Sequence, residues 1–451
     1  MAGCQHYKAM PLTDAAVDGA LTFPTTQPLR DLAGKINHPM LSPVPIDLQG
    51  GLTPDAAAIV AVVTNPALRA QRDRGSLAQA QLLQARMLPN PTLDFNYDPV
   101  TGGNTQGAVN AYGIGINWDV TALITHDAKV AASQAQGRAV RLDIAWQEWQ
   151  FAQAAKKAVY DVIALQALSD ETESVDRRLA EGAEFVRRAV DAHLKTLLDL
   201  SAAEAASQKA HADFLAARRD LSHQRLALNQ AMGLPSDVVV RVAHNFSLPS
   251  RLWLPSEQEL IAGIKSRRLD LLGLRQGYES QEQTLRAAVL AQFPKIIFGV
   301  HEAKDNTGVR STGIGVAIDL PIFDQNQGII GTERATRQQL FDEYASRIFE
   351  ARAIVSQTLS DIGALADQIA AAESAVPKLE TLVRTYEAAL GQHNVDVLSY
   401  YTAQSELSQA RIDLLRFKQQ LMDNQIALEI ASGRYLPQSP NGPTTTTAEA
   451  R

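Results

Sequence analysis

The chain has 451 residues, a formal net charge of −7 and one cysteine. Its length suggests about three ordinary domains, its mild acidity leaves no basic footprint for a nucleic acid, and the single thiol excludes a disulfide within the chain. The longest apolar run, residues 56–63, falls far short of the roughly 20 residues of a membrane-spanning helix.

Cys4 follows Met1-Ala2-Gly3. Small residues before a cysteine resemble the end of a bacterial lipoprotein signal, so Cys4 is expected to be acylated. The charged and apolar parts of such a signal are missing, which reads as a truncated start. Residues 1–52, with Pro24, Pro28, Pro39, Pro43, Pro45, Gly50 and Gly51 and no period, read as an extended, lipidated tether or a surface-wrapping segment. Thr53-Pro54-Asp55 is a helix start, and a short helix to about residue 63 follows.

The chain then repeats itself. A helix over 65–87 ends at Pro89-Asn90-Pro91, and a similar one over 268–292 ends at Pro294. Gly113-Ile114-Gly115-Ile116 recurs as Gly313-Ile314-Gly315-Val316, His193 as His393, Leu198 as Leu398 and Gly233 as Gly433. An offset near 200 residues predicts a duplicated unit, with a first repeat over 53–234, a second over 265–436 and a connecting segment over 235–264. Val238, Val240, Phe246, Leu252 and Trp253 suggest that this segment packs as a girdle. Residues 437–451, with four consecutive threonines, read as a disordered tail.

Each repeat holds one strand pair with a period of two, at 92–120 and 295–320. Leu93, Phe95, Tyr97, Tyr112, Ile114, Ile116 and Trp118 share one face; Thr92, Asp94, Asn96, Asp98, Gly113, Gly115, Asn117 and Asp119 share the other. In the second pair Ile296, Phe298, Val300, Ile314, Val316 and Ile318 oppose Lys295, Gly299, His301, Gly313, Gly315 and Ala317. The loops span about 100–110 and 304–310. Such strands suit a membrane barrel, apolar toward lipid and polar inside, although half of a soluble sandwich alternates in the same way. Four strands cannot close a barrel, open edges are forbidden in lipid, and no second sheet is visible in the sequence. Several copies are therefore expected to share one barrel.

Long helices follow over about 125–192 and 326–391, the latter opening at Asp324 as its expected cap. At 1.5 Å per residue each is roughly 95–100 Å long. Return helices occupy about 196–232 and 396–432. Each return helix and pre-strand helix together match the long helix, so each repeat makes one continuous rod and one in two pieces.

These features resemble the TolC-like outer-membrane efflux protein family over residues 53–437. The matching segments are LPNP at 88–91, LPIFDQNQG at 320–328, AHLKTLLDL at 192–200 and QHNVDVLSY at 392–400. LPIFDQNQG is most similar to the branch serving heavy-metal exporters. The resemblance implies a mainly α protein with a small β-barrel portion. It also implies an elongated homotrimeric channel in the outer membrane and periplasm, a passive duct served by a periplasmic adaptor and an inner-membrane pump. A coiled-coil adaptor without a barrel is the other architecture that such helices allow, but it has no need of lipid-facing Phe95, Tyr97, Trp118 or Phe298.

The helix breaks then become the periplasmic tip and adaptor contact, at His193, Leu194, Lys195 and Thr196 and at His393, Asn394, Val395 and Asp396. Family tips usually carry a glycine where this chain has the two histidines. The histidines are read as helix ends and not as metal ligands. Asp199 and Asp396 are candidates for a cation-attracting constriction, or alternatively cap the return helices. Pro377, matched by Arg177 in the first repeat, is a candidate hinge. No nucleophile–base pair, HExxH motif or nucleotide loop is present, and no cofactor or resident metal is expected.

Overall fold

A computed structural model describes residues 6–22, 26–47, 50–103, 105–243, 248–391 and 397–436. Helices α1 (Asp14–Leu21) and α2 (Thr26–Gly34) occupy the first segment. The first repeat runs α3 (Pro54–Thr64), α4 (Pro66–Arg86), β1 (Thr92–Asp98), β2 (Ala111–Asp119), α5 (Ala122–Asp191) and α6 (Leu197–Met232). After α7 (Glu257–Ala262) and α8 (Ile264–Arg267), the second runs α9 (Leu269–Leu290), β3 (Ile296–Lys304), β4 (Arg310–Ile318), α10 (Gln327–Gly391) and α11 (Val397–Ser432). The duplicated order predicted from the 200-residue offset is present, with helix bounds shifted by three residues or fewer. Two compact units result: residues 71–144 with 269–350, and the remainder.

The unit holding residues 1–70, 145–268 and 351–451 is built on α3. This helix is apolar all round and is buried along nearly its whole length, as such a helix must be. Thr53 caps it, accepting from Ala56 N, and Pro54 follows in the first turn. Around it pack Val159 and Val162 of α5 and Leu221, Leu228 and Met232 of α6. The early segment is not purely extended. Its α2 buries Leu29 and Ala33 in the same core, an i, i+4 pair that needs only one face of a short helix. His38 fastens the segment to α5: Nδ1 accepts from Met40 N and Leu41 N, so Nε2 donates to Ala145 O at 2.8 Å.

The two-piece rods meet end to end. Gly233 closes α6 at φ +69°, and a Cβ there would lie 2.6 Å from Cα of Asn65 at the start of α4. Gly433 closes α11 at φ +63°, where a Cβ would meet Arg268 at 2.8–3.0 Å. Both positions need glycine twice over, for the left-handed backbone and for the close approach. In the connecting segment Val238, Val240 and Val242 pack on the α3 core, and Leu248 and Leu252 pack on Tyr160. A parallel bridge pairs Leu52 with Val242. Trp253, expected in this girdle, is instead 62 % exposed. Phe246 lies outside the described residues, as do Cys4 and the tail.

A buried ion pair ties the repeats together. Glu429 of α11 is fully buried and accepts from Gln153 Nε2 (2.8 Å), Gln425 Nε2 (3.2 Å) and Leu436 N (3.2 Å). Lys156 Nζ of α5 stands 3.3 Å away and also lies 4.4 Å from the Tyr435 ring centroid. Tyr435 donates to Asp55 at 3.0 Å. Burial first, then the nearby carboxylates, push its hydroxyl far above the ordinary tyrosine range.

In the other unit the strands form one antiparallel sheet in the order β1-β2-β3-β4. Strands β3 and β4 reach Lys304 and Arg310, residues expected in the loop. The turn is only 305–309, held by Asp305 Oδ1, which accepts from Thr307 N and Val309 N. Beside the sheet, Ser280 of α9 donates to Ala132 O of α5, and Gln281 donates to Glu333 O of α10. Leu285, Ala288 and Ile330 form the local core.

Candidate functional site: the sheet and the helix breaks

The sheet register settles which side chains share a face. Phe95 pairs with Ile114, Leu93 with Ile116, and Tyr97 with Tyr112. Ile116 then pairs with Val300 and Trp118 with Phe298, and these pair with Ile314 and Val316, with Ile296 opposite Ile318. Directly paired residues lie on one face, so all twelve candidates for a lipid-facing surface are brought together. Tyr112, Trp118 and Ile296 are half-buried; the other nine are exposed. Trp118 donates its indole N–H to Pro89 O at 2.8 Å, which ties the LPNP turn to the sheet.

The opposite face carries Asp94, Asn96, Asp98, Asn117, Asp119 and His301. Its glycines make room for polar neighbours. A Cβ on Gly113 would collide with the Asn96 amide, and one on Gly299 with the Asn117 amide. A Cβ on Gly313 would stand 3.0 Å from the His301 ring. Asn117 donates to Asp94, and Lys295 lies 3.8 Å from Asp119. This face is hydrophilic with an excess of carboxylates.

Helix α10 opens differently from expectation. Asp324 is not its cap; its Oδ1 accepts from Asn326 N at 2.8 Å. Asn326 itself precedes the helix at φ +63° and provides the first acceptor, its O receiving Ile330 N. Its side chain donates to Ala288 O at 2.7 Å. Asparagine tolerates this left-handed backbone, so the Asn of LPIFDQNQG sets both the turn and the docking of α10 on α9.

At the first helix break, His193 adopts φ +60°. Leu194 N donates to Ala189 O and His193 N to Val190 O, the paired bonds of a Schellman helix end. This geometry explains why glycine suits the position. His193→Gly is expected to stabilise the protein by about 0.5–1 kcal/mol and His193→Val to destabilise it, as read from thermal denaturation. Leu194, Leu197 and Leu198 are exposed. Thr196 caps α6 in a reciprocal box, with Asp199 accepting from Thr196 N (2.9 Å) and Oγ1 (2.8 Å). The Thr196 backbone and hydroxyl hold the Asp199 carboxyl below its usual range. Asp199 therefore caps its helix, while remaining charged at an exposed turn. His393, Asn394, Val395 and Asp396 lie outside the described residues.

Helix α10 continues through Pro377. The proline removes the donor for the Glu373 carbonyl. Side chains on either side of it make cross-helix straps. Glu373 accepts from Ser250 (2.6 Å) and from Lys418 of α11 (2.9 Å). Arg411 of α11 binds Glu380 of α10 at 2.7 Å and Glu171 of α5 at 3.1 Å. The Ser250 and Lys418 partners depress the Glu373 pKa, and Arg411 depresses that of Glu380. Both straps thus hold above the ordinary carboxylate pKa and weaken as pH falls through the lower folded values. No local motif announces them, because on the chain they read as solvated charges.

Comparison with known proteins agrees with this arrangement. The family model for outer membrane efflux proteins matches residues 260–434, which include the second strand pair, α10 and α11. The cobalt-zinc-cadmium resistance protein CzcC of Cupriavidus metallidurans is 25 % identical over 382 residues, covering 83 % of this chain and 88 % of that protein. The chain thus matches the outer membrane efflux protein family over its second repeat. Its fold is similar to that of solved outer-membrane channels. A structure of CusC superposes with a TM-score of 0.71 at 19 % identity, over 89 % of this chain and 99 % of that one. The outer membrane protein VceC of Vibrio cholerae gives 0.70 at 18 %, over 84 % and 96 %. The chain has the fold expected from its sequence: mainly helical, with one small antiparallel sheet.

Proposed function

We propose that this chain is the outer-membrane duct of a tripartite export system, with three copies closing one barrel of twelve strands. The observation that carries this reading is the sheet itself. Strands β1 and β4 each pair on one side only among the described residues, while one face is apolar and exposed and the other hydrophilic. Open edges and exposed apolar side chains are compatible with lipid only when neighbouring copies complete the barrel. Phe323 (92 % exposed) and Phe349 (76 %) extend the unpartnered apolar surface along α10 and its approach, as contacts with further copies require.

In this reading the twelve apolar residues face lipid, acylated Cys4 adds an anchor, and both helix breaks form the periplasmic tip. His193, Leu194, Lys195 and Thr196, with residues 393–396, meet the adaptor there, and Asp199 and Asp396 line the constriction. The duct is passive and the pump chooses the cargo. The likeness to a cobalt-zinc-cadmium resistance protein supports divalent metal cations as that cargo, and the carboxylates of the hydrophilic sheet face suit a cationic passenger. Cells lacking their own duct should regain cation export when given this chain with its pump and adaptor, and should not regain it with the chain alone. Export without any pump, or none with the complete set, contradicts the reading. Mass spectrometry of the mature protein should find a lipid on Cys4.

A further inference from the structure

At its loop end the apolar face of the sheet finishes in a row that crosses all four strands: Tyr97, Tyr112, Lys304 and Arg310. One row inward lie Phe95, Ile114, Glu302 and Thr312; the next is wholly apolar, with Leu93, Ile116, Val300 and Ile314. The outermost row therefore marks the level at which the exposed face changes from hydrocarbon-compatible to charged. Tyrosines at such a boundary place a ring among apolar neighbours and a hydroxyl at the polar edge. Asn110 donates to the Tyr97 hydroxyl at 2.6 Å, which fixes that ring in the row.

Lys304 and Arg310 stand directly opposite each other. Like charges in directly paired positions of a sheet repel and destabilise the pair. Neither makes an ion pair among the described residues. Glu302 stands one row inward, opposite Thr312, and Asp305 is engaged by Thr307 and Val309 in its own turn. Two adjacent cations at the edge of a lipid-compatible face, one a guanidinium fork and one an ammonium, make a complementary seat for a phosphate group. We propose that Lys304 and Arg310, flanked by Tyr97 and Tyr112, bind the phosphate of an anionic lipid headgroup at the outer rim of the barrel. This rests on the barrel reading above, because the row has a lipid to meet only if its face is in a membrane.

The test is native mass spectrometry of the full detergent-extracted protein with lipid A, with dephosphorylated lipid A and with inorganic phosphate as probes. The native protein should retain lipid A as a complex of three chains. Lys304→Gln/Arg310→Gln should bind it about 30-fold more weakly, each cation at a membrane surface being worth about fivefold. Glu302→Gln should bind at least as tightly as native protein. Dephosphorylated lipid A should bind weakly to both proteins, and millimolar phosphate should not displace lipid A. A three-chain complex that binds lipid A equally well in the double variant overturns the site while leaving the barrel intact. Displacement by inorganic phosphate shows a free-anion site and overturns the lipid assignment. A single chain overturns the shared barrel and this site together.

Discussion

Replacing Lys156 with methionine is expected to destabilise the folded protein by about 3–5 kcal/mol, because it strands the carboxylate of Glu429 in a fully buried position. The neutral hydrogen-bond donors Gln153, Gln425 and Leu436 N remain, but the only ammonium beside Glu429 among the described residues is gone. The double variant Lys156→Met/Glu429→Leu should recover much of the loss, since removing both charges also removes the cost of burying them. Thermal melting of the detergent-solubilised protein, followed by circular dichroism, separates these outcomes. A Lys156→Met melt within about 1 kcal/mol of the native one contradicts a structural role for the pair. The effect should be large because the pair joins α5 of the first repeat to α11 of the second.

Locking the second helix pair should stop transport. Pro377 weakens α10, whereas the first repeat has Arg177 in the corresponding place. The straps from Arg411 and Lys418 join α11 to α10 on either side of this proline. A cysteine placed at Asp396 and disulfide-linked to a neighbouring copy should abolish export and lower single-channel conductance at least tenfold, and reduction should restore both. Arg411→Ala should act in the opposite sense by freeing Glu380 and Glu171, raising conductance in planar bilayers. If the linked and reduced channels conduct equally, the second pair is not the gate.

The duplicated helices and the strand pairs were legible because each rests on a period: a helical one along α10, where Ile348, Val355, Ile362, Ile369 and Val383 recur at multiples of seven and are all buried, and two along the strands. The short helix α3 was legible from its cap. Features set by pairing at a distance were not. Lys304 and Arg310 read as loop because the segment they bound carries Asn306, Thr307 and Gly308, although they keep the parity of Val300 and Ile314. Lys156 and Glu429 read as solvated helix positions until α5 and α11 are brought together. Leu29 and Ala33 carried a weak helical signal inside a proline-rich segment. Asp324 reads as a cap because aspartate is a preferred cap residue, but the hydrogen bond of Asn326 to Ala288 moves the cap by two residues.

The shared barrel is tested most directly by the mass of the detergent-extracted particle, measured by light scattering with the detergent contribution subtracted and checked by chemical cross-linking. Each chain is 48.9 kDa. A particle of three chains is expected, with a cross-linked ladder that stops at the third rung. A stable, correctly folded particle of one chain contradicts it, because a single four-stranded sheet with two bare edges cannot stand alone in lipid.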